Sequence, residues 1–170
     1  MNTLVVFYSR SGTTREAAER IARKLGADIE EIVDPTDRRG IRGWIRSILD
    51  ARRGRKPPIS PARKDPSRYD LVVIGTPVWD AHVSAPVRAY LSAHAGSLRR
   101  VAFFVTEGGR GESRVFREMR ELAGRSAVAT LLLLQRDVQR GRDAAAINAF
   151  VRMIRVEAAP SERSTSQVHA

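Results

Sequence analysis

The chain has 170 residues, 42% apolar and 29% charged, enough for one packed domain and ordinary for a globular protein. It has no cysteine, which excludes disulfides, zinc–thiolate sites, iron–sulfur clusters and thiol nucleophiles, and its three histidines (His82, His94, His169) lack metal-ligand spacing, so no metal site is expected. The net charge is +11, but eleven basic and two acidic residues fall between Arg38 and Arg68, so that segment carries nine of the eleven net charges and the rest of the chain is close to neutral.

No apolar run approaches the roughly 20 residues that cross a membrane. Met1 to Tyr8 lacks the basic start, long apolar stretch and cleavage site of a signal peptide, so a cytoplasmic protein is expected. Leu4 to Tyr8 is a short continuous apolar run, the pattern of a strand buried on both faces. A polar loop, Ser9 to Thr14, leads to a helix with Ala17, Ala18, Ile21, Ala22 and Leu25 on one side; Thr13 with Glu16 predicts a capping box at its start, and Gly26 its end. Ala27 to Val33 alternates as an edge strand does. Asp34 to Tyr69 is irregular and proline-rich. Within it Ile41, Trp44, Ile45, Ile48 and Leu49 share one helical face among Arg42, Arg46 and Arg52, which predicts a helix from Ile41 to Arg53.

Leu71 to Gly75 is a second fully buried strand, followed by a loop, Thr76 to Val83, and a helix capped by Ser84 with Pro86 in its first turn. Arg100 to Thr106 is the fourth strand, Glu107 to Gly111 a glycine-rich loop, and Ser113 to Gly124 a helix. Ala127 to Leu134 is the fifth strand and Asp143 to Ile154 the fifth helix. One domain over 1–156 is expected, with a basic insertion at 38–68 and a disordered tail at 157–170.

Strands alternate with helices, and right-handed crossovers turn that alternation into an α/β, doubly wound, five-stranded parallel sheet of order 2-1-3-4-5. Ligands of such sheets bind beyond the carboxyl ends of the strands, where the order reverses. The loops after the first, third and fourth strands are therefore the informative ones. In the first, Ser9, Arg10, Ser11, Gly12, Thr13 and Thr14 join a buried strand to a helix N-terminus, whose N–H groups and nearby hydroxyls suit a compact dianion such as a phosphate monoester. In the second, Thr76, Pro77, Val78 and Trp79 present an indole that either stacks on a flat ring or folds over the core, with Pro77 stiffening the turn. In the third, Thr106, Glu107, Gly108, Gly109, Arg110 and Gly111 let backbone N–H groups approach the polar edge of a heterocycle. The first loop has no P-loop lysine, one glycine where a dinucleotide fingerprint has three, and no phosphatase cysteine; Ser9 and Thr76 stand where a phosphoacceptor receiver domain needs acids.

These segments resemble the flavodoxin family. Tyr8-Ser-Arg-Ser-Gly-Thr-Thr-Arg-Glu16 looks like its phosphate-binding loop, Gly75-Thr-Pro-Val-Trp79 followed by Ala85-Pro-Val-Arg-Ala-Tyr-Leu91 like its first flavin loop and helix, and Thr106-Glu-Gly-Gly-Arg-Gly111 followed by Phe116-Arg-Glu-Met119 like its second. The resemblance covers roughly residues 3 to 153. It implies one non-covalently bound FMN, with Ser9 to Thr14 on the phosphate, Thr76 to Trp79 on one side of the isoalloxazine, and Thr106 to Gly111 on the other side and at its pyrimidine edge. It implies electron transfer through that flavin, with a redox partner protein or a small-molecule donor or acceptor, by a monomer or homodimer. The alternative is an NAD(P)H- or quinol-linked flavin oxidoreductase on the same fold, of the quinone reductase or protoporphyrinogen oxidase type. No catalytic side chain is expected, because the flavin supplies the chemistry.

Asp80 and Glu107 are either carboxylates that tune the flavin potential or solvated loop charges. His82 is either a proton donor beside the ring or a surface histidine. Electron-carrier members often have glycine soon after the aromatic residue of the second loop. Asp80 and Ala81 reach positive φ less readily than glycine, which implies weaker stabilisation of the one-electron-reduced flavin. Such carriers are also usually acidic, whereas this chain is basic. The helix in the basic segment can be a lid on the flavin, a dimer contact, a packed peripheral helix or, through 38–56, a peripheral contact with an anionic surface. Specific nucleic-acid binding is not expected, since no recognition motif is present.

Overall fold

The computed structural model describes residues 1–35, 40–109 and 111–158, with the backbone alone at positions 40, 41, 44 and 158. Five strands, β1 (Thr3–Phe7), β2 (Asp28–Glu31), β3 (Leu71–Trp79), β5 (Val101–Glu107) and β6 (Ala127–Leu134), form a parallel sheet in the order β2-β1-β3-β5-β6. Counting the long strands alone, this is the expected order 2-1-3-4-5. A two-residue strand, β4 (His82–Val83), folds back antiparallel on the end of β3.

The continuous apolar runs are explained by helices on both faces. Val5, Phe7, Leu71, Val73, Ala102 and Phe104 pack against α1 (Thr13–Leu25) and α6 (Ala144–Ala158). Leu4, Val6, Val72, Ile74, Val101, Phe103 and Val105 pack against α3 (Ala85–His94) and α4 (Glu112–Ala123). Successive residues of each strand thus alternate between two buried layers. Among the described residues no helix is long and apolar enough to cross a membrane.

Some elements differ from the sequence expectation. Strand β3 does not stop at Gly75 but runs on to Trp79, pairing Pro77 with Thr106 of β5. Pro77 therefore lies in a strand, not in a turn. Its missing N–H is tolerated because β1 ends opposite Gly75, leaving the edge beyond it without a ladder partner from β1. Gly75 itself is required by packing, since a Cβ there would lie 2.0 Å from the Phe104 ring. A short helix, α5 (Gln135–Gln139), follows β6 directly, and α6 runs four residues past Ile154. The remainder of the tail lies outside the described residues.

Within the basic segment, helix α2 (Gly40–Arg52) forms as its periodicity predicts, but the expected stripe is not the buried side. Gly43, Ser47, Asp50 and Ala51 face inward, while Ile45 and Leu49 are exposed and Ile48 is half-buried. The Ser47 hydroxyl donates to the Gly43 carbonyl at 2.8 Å, satisfying a polar group that the packing covers. The side chains of Ile41 and Trp44 lie outside the described residues.

Candidate functional site

The three loops expected from the sequence meet beyond the carboxyl ends of β1, β3 and β5. The first leaves β1 through Tyr8, whose N–H donates to the Gly75 carbonyl at 3.3 Å. Ser9 Oγ accepts from the Gly12 N–H at 3.1 Å and closes the loop on itself. Gly12 has φ +96° and open space where a Cβ would stand, so its backbone conformation, not crowding, favours glycine. Gly12 is the N-cap of α1, and no side chain caps the helix. The expected Thr13–Glu16 capping box is therefore not formed: Thr13 is already helical, and Glu16 pairs with Arg20 at 3.3 Å instead. By helix geometry the N–H groups of Thr13, Thr14 and Arg15 have no carbonyl one turn earlier to bond. Arg10 and Ser11 are exposed, Ser9 and Gly12 partly so, and Thr13 and Thr14 are buried.

Thr14 links the first loop to the third. Its Oγ1 lies 2.7 Å from Thr106 Oγ1, a buried contact between residues 92 apart in the chain. Thr76, by contrast, turns away from the other loops. Its Oγ1 accepts the Ser84 N–H at 3.1 Å and lies 2.9 Å from Ser84 Oγ and 3.0 Å from the Pro77 carbonyl. Ser84 occupies the N-cap of α3 as expected, but its side chain makes no capping bond to that helix.

Trp79 is buried in the apolar cluster and meets Tyr8 edge-on, with ring centroids 5.5 Å apart and planes at 87°. Asp80 and Ala81 then form the two-residue turn into β4 with φ +49° and +59°. Both central residues at positive φ make the hairpin turn that suits strand twist. Both residues thus adopt positive φ in this fold although each reaches it less readily than glycine. The turn is held from two sides. Arg52 Nε at the end of α2 sits 3.3 Å from Asp80 Oδ2, and a Cβ on Gly111 would fall 2.5 Å from Ala81 Cβ. Gly111 thereby lets the third loop close on the second.

Glu107 is not a solvated loop charge. It is the last residue of β5, only 5% exposed, and its Oε2 has no hydrogen-bond partner among the described residues. Burial, with Glu112 nearby, raises its carboxyl above the ordinary range. Gly108 and Gly109 beside it are exposed, and Arg110 lies outside the described residues. Val78 and Pro77 are half-buried.

Glu118 is a positioning residue to which the sequence alone assigns no role, although it lies within the Phe116–Met119 segment. Its Oε2 accepts the Val83 N–H at 2.9 Å and lies 3.6 Å from His82 Nδ1, and its Oε1 pairs with the buried Arg88. His82 is accordingly tucked against α4, its side chain 13% exposed, and is not a surface histidine. An arginine among the apolar residues of α3 was the available signal, since a buried cation requires an anionic partner.

The site therefore offers a helix N-terminus with open amides, an aromatic pair, and a buried carboxyl with an unsatisfied oxygen, on one rim. The family model described as flavodoxin matches residues 2–141. Comparison with curated proteins found no match. Among solved structures, the chain is similar to a flavoprotein in complex with FMN from Lactobacillus acidophilus (26% identity, TM-score 0.69, covering 82% of this chain and 97% of that one). It is also similar to the apo-form of the flavoprotein from that organism (24% identity, TM-score 0.59, covering 78% and 91%). An oxidised flavodoxin from Bacillus cereus shares the fold (17% identity, TM-score 0.53, covering 91% and 98%). With the matched region spanning most of the sequence and the strand order in agreement, this chain belongs to the flavodoxin family.

Proposed function

We propose that the protein binds one FMN across the carboxyl ends of β1, β3 and β5 and transfers electrons through it. The observation that carries this reading is the union of the three loops, tied by the Thr14–Thr106 contact at 2.7 Å and by the close approach of Gly111 to Ala81. The residues fit the group. The amides opening α1 suit a dianionic phosphate, with Ser9, Arg10, Ser11, Gly12, Thr13 and Thr14 around it. The unpartnered Glu107 Oε2 is an acceptor for the N–H of a flavin pyrimidine edge, and leaving such a buried oxygen unbonded costs about 1–3 kcal/mol. Trp79 and Tyr8, buried against each other, form an apolar wall behind the ring position, with Pro77 and Val78 beside them and Gly108, Gly109 and Gly111 opposite.

When bound, the flavin accepts and releases the electrons. The protein holds the phosphate at the helix start, fixes the hairpin through Glu118 and Arg52, and surrounds the ring with apolar packing. Thr76 acts indirectly in this arrangement, by anchoring the start of α3.

Purified protein is expected to be yellow and to release FMN, not FAD, on denaturation. Stripped protein is expected to bind FMN more tightly than riboflavin, since only FMN carries the phosphate. Colourless protein that fails to quench the fluorescence of added FMN overturns the proposal.

A further inference from the structure

We propose that the exposed face of α2 around Ile45 and Leu49, with its arginine border, docks an acidic redox protein beside the flavin site; this rests on the flavin reading above. Ile45 and Leu49 are one turn apart and 46% and 39% exposed, while the smaller and more polar Gly43, Ser47, Asp50 and Ala51 are buried. Folding alone gives no reason to turn the aliphatic pair outward. Arg42, Arg46, Arg52 and Arg53 around it are exposed. Between Gly40 and Lys56 there are six basic residues and one acidic residue, and that one, Asp50, is buried with Arg55 at 3.3 Å. The stretch from Gly40 to Lys56 thus has a marked excess of positive charge along and just beyond this helix.

Position connects the patch to the site. Arg52 reaches Asp80 of the β3–β4 turn at 3.3 Å, so a protein seated on α2 abuts the rim that holds Trp79. A small apolar centre with a charged border is the anatomy of a transient protein interface, and the border selects partners of opposite sign. A second copy of this chain would bring two cationic faces together, which opposes self-docking. An interfacial membrane helix sinks a broad apolar face about 5–10 Å into lipid. Ile45 and Leu49 are each less than half exposed and Ile48 is partly buried, a narrow strip for that purpose.

The test follows electron transfer from dithionite-reduced holoprotein to ferric cytochrome c in two forms, native (basic) and succinylated (acidic), by stopped flow. Fully reduced flavin gives two electrons to two ferric haems, which become ferrous, and the protons taken up on its reduction return to solvent. Succinylated cytochrome c is expected to be reduced about tenfold or more faster than the native form at low salt. That advantage should vanish between about 0.01 and 1 M salt, as the screening length falls from about 30 to 3 Å. Arg46→Glu with Arg53→Glu should abolish the preference without changing flavin content. Ile45→Ser with Leu49→Ser should slow the acidic acceptor while keeping the salt slope. Equal rates for the two forms, a faster native form, or rates insensitive to salt overturn the docking proposal. So do binding to phosphatidylserine–phosphatidylcholine vesicles, or a dimer in sedimentation velocity, that the same variants remove. Flavin content, read first by absorbance, separates these results from failure of the flavin reading itself.

Discussion

Helices α1 and α3 both begin near the carboxyl end of the sheet, α1 after β1 and α3 after the β3–β4 hairpin, so both direct the positive end of a helix dipole toward the same rim. Their first turns differ. At α3 the N-cap N–H is taken by Thr76, the second helical residue is Pro86 with no N–H, and the Ser84 hydroxyl is turned toward Thr76. At α1 the N-cap is a glycine whose N–H is likewise taken, by Ser9, but no proline follows it, and the Thr14 hydroxyl lies against Thr106. A hydroxyl takes the N-cap N–H in both, and no side chain caps either helix; α3 differs in that Pro86 removes one of the amides that follow, whereas α1 keeps the N–H groups of Thr13, Thr14 and Arg15. A hydroxyl-rich helix start is therefore not itself the signal for an anion; what matters is how many first-turn amides remain able to donate.

Gly12→Asp breaks this comparison most directly. It places a carboxylate at the open end and a side chain at φ +96°. FMN affinity should fall on the order of 100-fold, about 2.7 kcal/mol. The preference for FMN over riboflavin should disappear in fluorescence titrations, because the lost attraction is to the phosphate.

Thr14→Val removes the link between the first and third loops and leaves Thr106 without its buried partner. Stability should drop by about 1–3 kcal/mol in denaturant unfolding. Adding Thr106→Val should restore part of that loss, since the two hydroxyls are coupled. FMN binding should weaken in the single variant.

Thr76→Val sharpens the contrast from the other side. It uncovers the Ser84 N–H and hydroxyl, at a cost of about 1–2 kcal/mol, within the usual range for an orphaned buried group. FMN affinity should stay close to that of the unmodified protein, because the start of α3 is not the anion site. Loss of FMN binding with unchanged stability would reverse the assigned roles of the two helices.

The smallest effect concerns Glu107. Its folded-state pKa lies above its ordinary value of 4.5, so the folded protein binds the extra proton between those two values. Stability of the flavin-free protein should therefore decline as pH rises from the ordinary value through the raised pKa. Glu107→Gln should flatten this part of the stability–pH curve. It should also keep an acceptor for the flavin edge, whereas Glu107→Leu should not.

Much of the framework was legible in order along the chain. Leu4–Tyr8 and Leu71–Gly75 read as strands because a strand covered on both faces has to be apolar throughout, and Arg100–Thr106 read as the fourth strand. Gly26 and Gly124 marked helix ends by the left-handed conformation they adopt. The three functional loops were found from their place in that alternation. The extension of β3 through Pro77 was not legible, because it depends on where β1 stops in the sheet. Nor was the buried side of α2, since periodicity shows that a helix has two faces and not which one meets the domain.

The sequence by itself determined the five long strands, the main helices between them and the rim on which a site would lie, because burial and backbone preference are written in neighbouring residues. Only the tertiary structure decided which groups meet there: Thr14 with Thr106, Thr76 with Ser84, Glu118 with Val83, and Arg52 with Asp80. Those pairings depend on strand register and helix placement across long stretches of chain, which local composition does not encode.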